Sequence, residues 1–157
     1  MKKILSLLLV VLLSFTLVGC EAVERIILED GEDIKSPQES PIDEDGYYSS
    51  KEDVALYIHT YEKLPDNFIK KDQAKKLGWD PKEGNLWEVS PEKSIGGDRF
   101  GNREGRLPKD SNRQYYECDI NYKGGYRGSE RIVYSNDGLI YYTEDHYDSF
   151  TLLYGDE

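Results

Sequence analysis

The apolar residues of this 157-residue chain change period once, and that change sets its fold class. Val54, Tyr57, Ile58 and Tyr61 recur at helical spacing, with Ser50 and Asp53 forming a capping box at the start and "KLPDN" breaking the run near Leu64. A second helix fits "KKDQAKKL", closed by Gly78, and a third, short one opens at Asn85 with Glu88 and stops at Pro91. Beyond it the pattern turns β-rich: "RQYYECDINY" (113–122), "SERIVYS" (129–135), "GLIYYT" (138–143) and "SFTLLY" (149–154). The joining segments "KGGYRG", "SNDG" and "TEDHYD" supply turn residues. Helices first and hairpin-linked strands afterwards predict an α+β domain, with N-terminal helices packed on a multi-stranded antiparallel sheet.

Strand alternation assigns the faces of that sheet. Tyr116, Cys118 and Ile120 share one face with Ile132 and Tyr134, which places Cys118 in the core as a small apolar residue. Tyr115, Glu117 and Asp119 share the other face with Ser129, Arg131 and Val133, so a charged cluster falls on the side away from the first helix. Gly96 and Gly97 are expected to serve backbone geometry at the sheet edge.

The chain divides into three parts. "MKK" followed by "ILSLLLVVLLSF" reads as a signal peptide, residues 1–19, because the apolar run is too short to span a bilayer. It ends in "LVGC", which resembles a lipobox and makes Cys20 the candidate lipidation site. Residues 20–46 hold ten acidic residues against Arg25 and Lys35, with Pro37 and Pro41, and read as an acidic flexible tether. Residues 47–157 carry all thirteen tyrosines and both tryptophans and form the domain. Cys20 and Cys118 are the only cysteines, so a lipidated Cys20 leaves Cys118 unpaired and rules out a disulfide scaffold. The expected location is extracellular, anchored through lipid to the outer face of a bacterial cytoplasmic membrane.

Four stretches, "YIHTYEKLPDNFIKKDQAKKLGW", "GNLWEVSPEKSIGGDRFGNREGRLP", "DINYKGGYRGSERIVYS" and "LIYYTEDHYDSFT", carry a resemblance. In order and spacing, from about Val54 to Thr151, they resemble the barnase-like bacterial guanyl-specific ribonucleases. The resemblance implies the microbial ribonuclease fold and cleavage of single-stranded RNA after guanosine, through a 2′,3′-cyclic phosphate and without metal or cofactor. It implies Glu117 as general base and His146 as general acid, with Lys71, Arg127 and Arg131 around the scissile phosphate. It implies a guanine-reading loop, Phe100, Gly101, Asn102, Arg103 and Glu104, whose main-chain N–H groups meet O6 while the Glu104 carboxylate takes the N1 and N2 protons. Tyr147 stands as an aromatic beside the histidine, and Asp119 as an anchor for the arginines. A monomer and a protein inhibitor of the barstar type, acidic and covering the cationic cleft, are implied as well.

The reaction calls for this set on its own terms. A base must remove the 2′ proton, an acid must protonate the 5′ oxygen, and cations must stabilise charge growing on phosphorus. Two further readings remain open at this stage: a ribonuclease-fold lipoprotein that has drifted from catalysis to binding a protein or RNA, and a glycosidase using Glu104 and Glu117. His59 has no matching partner and is expected at the surface; Lys70 and Lys93 are expected to be solvated, and Arg113 with Asp137 to form a structural ion pair. Glu144, Asp145 and Asp148 either approach the His146 ring or are solvated loop charges. Three features depart from the family pattern. Glu62 stands where the family carries a histidine at the end of the first helix, and Gly101 stands where a serine is usual. The charge of the domain is the third: residues 47–157 hold 16 basic against 21 acidic residues, and an acidic periphery slows encounter with RNA.

Overall fold

The computed structural model describes residues 42–156. The expected leader, Cys20 and the tether up to residue 41 lie outside the described residues. Among the described residues three helices, α1 (Lys51–Tyr61), α2 (Lys71–Lys76) and α3 (Leu86–Val89), accompany a six-stranded sheet in sequential order. Its strands are β1 (Phe68–Ile69), β2 (Ser94–Phe100), β3 (Tyr115–Asp119), β4 (Arg131–Ser135), β5 (Ile140–Thr143) and β6 (Thr151–Tyr154). This is the α+β arrangement that the change of period predicts.

The helices begin where their caps allow. Ser50 Oγ accepts from the Asp53 N–H at 3.1 Å and donates to the Asp53 carboxylate at 2.7 Å, satisfying one of the free donors of the first turn. At the other end Glu62 adopts a left-handed φ of 56° and returns its N–H to Ile58 O at 2.8 Å. At α3 the Asn85 side chain does not cap the helix. It accepts from the Asp80 N–H and donates to Gly78 O, tying the α2–α3 connection instead.

β3 to β6 are antiparallel, as expected, and Glu117 lies opposite Val133 and Asp119 opposite Arg131. The sheet also contains two strands that strand propensity does not predict. β2 lies inside the sheet, not at its edge, between β3 and a short parallel partner β1. Its sequence, "SIGGDRF", hides the strand because glycine disfavours extended interiors. The glycines are there for close approach and a bulge. A Cβ at Gly96 would meet Cys118 Cβ and Phe68 Cδ1 at 2.7 Å, and Gly97, at φ +88°, sits where the register shifts between Gly96 and Asp98.

Two apolar clusters sandwich the sheet. Val54, Ala55 and Ile58 of α1 pack on Cys118, Ile120, Ile132 and Ile140. Leu107, Tyr115, Val133, Leu139 and Tyr141 close the opposite side. A third cluster, around Ala74, Trp79, Leu86, Ile95 and Tyr122, seats α2 and α3 against β2. Each fully buried side chain of this size stabilises the fold by about 1.5–3 kcal/mol. Cys118 is buried and free, and burial pushes its thiol well up.

Part of the acidic stretch joins this body. Tyr61 donates to Ile42 O at 2.7 Å, Tyr57 donates to Glu44 O at 2.8 Å, and Lys63 pairs with Glu44 at 2.5 Å. The folded unit therefore begins before Tyr47, because the hydroxyls of the buried Tyr57 and the half-buried Tyr61 take their acceptors from residues 42–46.

Candidate active site

The site is built outward from β3. Glu117 points to the face away from α1 and is 7% exposed. Lys71 Nζ donates to one of its carboxylate oxygens and the Tyr147 hydroxyl to the other. Burial pushes the carboxyl up, but hydrogen bonds from Lys71 and Tyr147, then the charges of Lys71 and Arg127, outweigh it. The net result lies below the ordinary value of 4.5, so Glu117 is an ionised carboxylate at neutral pH. The same contact pushes the Tyr147 phenol up, after burial, so it remains a donor.

Two residues along the strand, Asp119 is 2% exposed and accepts from Arg127 Nε and Nη2 at 2.6 Å each, a bidentate grip. Arg131, also 2% exposed, brings its Nε to 3.0 Å from the same carboxylate. That N–H is off line and lacks an acceptor, while Nη1 donates to Glu130 O at 2.7 Å. Burial pulls the Arg127 pKa down, yet the Asp119 contacts more than offset it. Asp119 thus fixes two guanidinium groups beside Glu117, and the structure brings together Lys71, Glu117, Asp119, Arg127, Arg131 and Tyr147.

Lys71 is aimed by a residue outside the expected set. Asp98 of β2 accepts from the Lys71 N–H at 3.0 Å and holds the N-terminus of α2. Asp98 lies opposite Glu117 in the sheet, a pairing that becomes visible only once β2 is a strand.

His146 sits on the exposed loop after β5 with φ 59°, and Tyr147 follows at φ 76°. Two consecutive non-glycine residues in left-handed conformation cost about 1–3 kcal/mol each. Asp145 compensates for them. Its carboxylate accepts from Thr143 Oγ1 at 2.9 Å, Asp148 N at 3.0 Å, Ser149 N at 2.9 Å and Ser149 Oγ at 2.6 Å. The Ser149 hydroxyl, then its N–H, hold the Asp145 carboxyl at about 2. Thr143 Oγ1 in turn accepts from the Tyr147 N–H. Asp148 pairs with Arg106, and the Glu144 carbonyl accepts from Ser129 Oγ. Among the described residues none of the three carboxylates bonds the His146 ring, whose neighbour is Tyr147 at 4.8 Å between centroids.

Phe100 leads into the second loop and packs on Tyr147, with centroids 5.2 Å apart. Asn102, buried with φ 39°, closes this loop: its side chain donates to Leu107 O at 2.9 Å and accepts from Leu107 N at 3.1 Å. Arg103 and Glu104 are exposed at its tip, and the Glu104 carboxylate makes no hydrogen bond or ion pair among the described residues. A Cβ at Gly101 would meet Arg103 Cγ at 3.5 Å, an ordinary contact, so the position has room for serine. Both loops line one cleft of about 790 Å³, where Arg99, Arg103, Arg106, Lys109 and Arg113 face Glu104, Asp110 and Asp148. A cationic cleft therefore lies within an acidic chain. Glu117 does not line it; the Tyr147 phenol and Lys71 stand over its oxygens.

The bystanders fall largely as expected. Arg113 pairs with Asp137 at 2.8 Å, and His59 is exposed and stacked on Tyr154, at 4.4 Å between centroids. Lys93 departs from expectation: it is half-buried and donates to Asp66 O at 2.5 Å. Among the described residues no group of three or more His, Cys, Asp and Glu side chains is placed to hold a metal ion.

A ribonuclease family model matches residues 51–154. The chain is 58% identical over 100 residues to a ribonuclease of Bacillus intermedius, covering 64% of this chain and 62% of that protein. It is also 58% identical over 100 residues to a ribonuclease of Heyndrickxia coagulans, covering 92% of it. Over 54 residues it is 44% identical to the guanyl-specific ribonuclease St of Saccharopolyspora erythraea, covering 34% of this chain and 54% of that protein.

Proposed function

The chain belongs to the ribonuclease family, and from that premise we propose that it is a guanyl-preferring endoribonuclease acting on single-stranded RNA by transesterification. Glu117 removes the 2′-hydroxyl proton of guanosine, and O2′ attacks the adjacent phosphorus. The P–O5′ bond breaks, and the leaving O5′ takes a proton from His146. The product is a 2′,3′-cyclic phosphate, which water opens with the two roles reversed. Arg127, Arg131 and Lys71 stabilise the charge on the non-bridging oxygens. The nucleophile belongs to RNA, so DNA is not cut. Guanine binds in the 101–107 loop, its N1 and N2 protons on the free Glu104 carboxylate and its O6 on main-chain N–H groups near Asn102 and Arg103.

The observation that carries this reading is the Asp119-anchored arginine pair beside an ionised Glu117, on one sheet face and next to a cleft that holds His146. Paired arginines suit a phosphate and have no task in sugar hydrolysis. Lys71 and Tyr147 each take one lone pair on a different Glu117 oxygen, so the carboxylate keeps acceptor capacity for the O2′ proton.

The test is cleavage of GpN dinucleotides by the protein without added metal. Glu117→Ala and His146→Ala are each expected to lose about 10²–10⁴ in kcat/KM. Folded protein that fails to cut any GpN between pH 5 and 8 defeats the reading. The pH profile is a second check. Glu117 must be ionised to act and its carboxyl lies below 4.5, so kcat/KM holds its value at pH 5 and falls only below about pH 4.5. An acid limb centred at 6 or above contradicts the assignment.

The proposal extends to location and partners. Residues 1–19 direct export, Cys20 carries the lipid anchor, and the enzyme works outside the cytoplasmic membrane as a monomer. Cys20→Ala should release the protein from membranes and abolish incorporation of labelled fatty acid. The Arg and Lys side chains around the cleft suit an acidic protein inhibitor of the barstar type, expected to compete with RNA.

A further inference from the structure

The loop joining β3 to β4 carries an aromatic ring that neither the fold nor the reaction employs. Tyr126 is 72% exposed, the most exposed large apolar side chain in the described chain. Among the described residues its ring meets no other ring and its hydroxyl makes no hydrogen bond. The backbone beneath it, by contrast, is held firmly. The Tyr122 hydroxyl donates to Gly125 O at 2.9 Å, and the Trp87 ring lies so close to Gly124 that a Cβ there would meet it at 2.8 Å. Trp87 is itself fixed, edge-on to Tyr122 at 5.6 Å and donating through Nε1 to Lys93 O at 2.8 Å. On the other side a Cβ at Gly84 would meet Gly125 C at 2.8 Å. A braced loop with a bare ring at its tip has paid its ordering entropy in advance, as a binding platform must.

Its surroundings indicate the ligand. Along the loop Tyr126 lies between Lys123, which is exposed, and its neighbour Arg127, held in the site by Asp119. An aromatic ring between cations matches a single-stranded nucleic acid, whose bases stack while its phosphates pair with the flanking charges. Topology gives the direction. The guanine loop adjoins the Tyr115 end of β3, since Phe100 pairs with Tyr115, whereas the Tyr126 loop leaves from the Asp119 end. The four residue steps between span about 13 Å, with Glu117 midway. A strand with its guanine in the first loop and its scissile phosphate at Arg127 therefore continues toward Tyr126 in the 3′ direction.

We propose that Tyr126 is a stacking subsite for a nucleobase of the RNA lying beyond the GpN step on its 3′ side. This rests on the ribonuclease reading above. The experiment compares GpA with GpApApA as substrates of the protein and of its Tyr126→Ala and Tyr126→Trp variants. A second arm measures binding of the same tetranucleotide made uncleavable by a 2′-deoxyguanosine.

Tyr126→Ala should lower kcat/KM for GpApApA and weaken the deoxy analogue by about ten-fold each, with GpA cleavage unmoved, and Tyr126→Trp should restore both. An equal fall on GpA and GpApApA overturns the subsite, because Tyr126 then acts on the GpN step itself. No fall on GpApApA, or no rescue by tryptophan, overturns it too. If wild-type protein cuts neither substrate, the ribonuclease reading falls. The binding arm then decides the platform separately, and an analogue bound equally by wild type and Tyr126→Ala removes it.

Discussion

The two loops that line the cleft are each closed by a single Asx side chain, and they are closed in different ways. In the 101–107 loop the neutral, buried amide of Asn102 makes two bonds to one residue, Leu107. In the 143–149 loop the charged, exposed carboxylate of Asp145 takes four donors from Thr143, Asp148 and Ser149. The first closure is neutral, so no change of pH disturbs it. The second holds two left-handed residues, His146 and Tyr147, in place with an acceptor that is strongest while ionised. A buried amide closes its loop whatever the pH, whereas an exposed carboxylate leaves the His146 loop dependent on its charge.

Removing the two closures should break this comparison most visibly. Asn102→Ala leaves a buried N–H and a buried C=O unmatched at Leu107, which is expected to cost about 2–6 kcal/mol at roughly 1–3 per group. Denaturant unfolding measures the loss, and preference for GpN over ApN should fall with it. If stability drops while preference stays, the loop does not read guanine.

Asp145→Ala acts on the other loop and should show mainly in the rate. With His146 released from its fixed position, kcat on GpN is expected to fall by about 10²-fold, with KM changing far less. A comparable rise in KM would mean that Asp145 serves binding rather than the aim of the histidine.

Acid separates the loops without mutation. The folded Asp145 carboxyl sits at about 2, below an ordinary value near 3.9. Its contribution is therefore fully present above pH 4 and is lost as pH falls through 2. Amide exchange of Asp148 and Ser149 should accelerate over that window while Leu107 stays protected until the whole domain opens.

The smallest effect is expected at Gly101. Serine fits there, and the loss of glycine's unfolded-state freedom should stabilise the protein by about 0.4–1 kcal/mol, measured as a shift of the denaturant midpoint. Any destabilisation would show that the loop needs the glycine after all.

Much of this molecule is legible in its residues, and the rest is hidden for identifiable reasons. Ser50 with Asp53 marks the start of α1, and alternation along 115–120 separates Cys118 from Glu117, because both signals are local. β2 escapes notice because Gly96 and Gly97 answer to contacts with Cys118 and Phe68 from elsewhere in the chain. Asp98 is missed for the same reason, since its place opposite Glu117 and under Lys71 exists only after β2 pairs with β3. Asp145 is visible as an acid near His146, but nothing in "TEDHYDSF" says whether it faces the ring or its own backbone. Residues 42–46 have the composition of a tether, and only the hydroxyls of Tyr57 and Tyr61 draw them into the fold.

The sequence by itself determined the α+β class, the faces on which the residues of β3 and β4 fall, and the inventory of acids, bases and cations, since period and residue type are properties of short stretches. Tertiary structure alone decided the order of the sheet, the partners of Glu117, the grip of Asp119 on two arginines and the direction of Asp145. Those are pairings between groups far apart along the chain, and their energies exist only once the backbone has brought the groups within hydrogen-bonding reach.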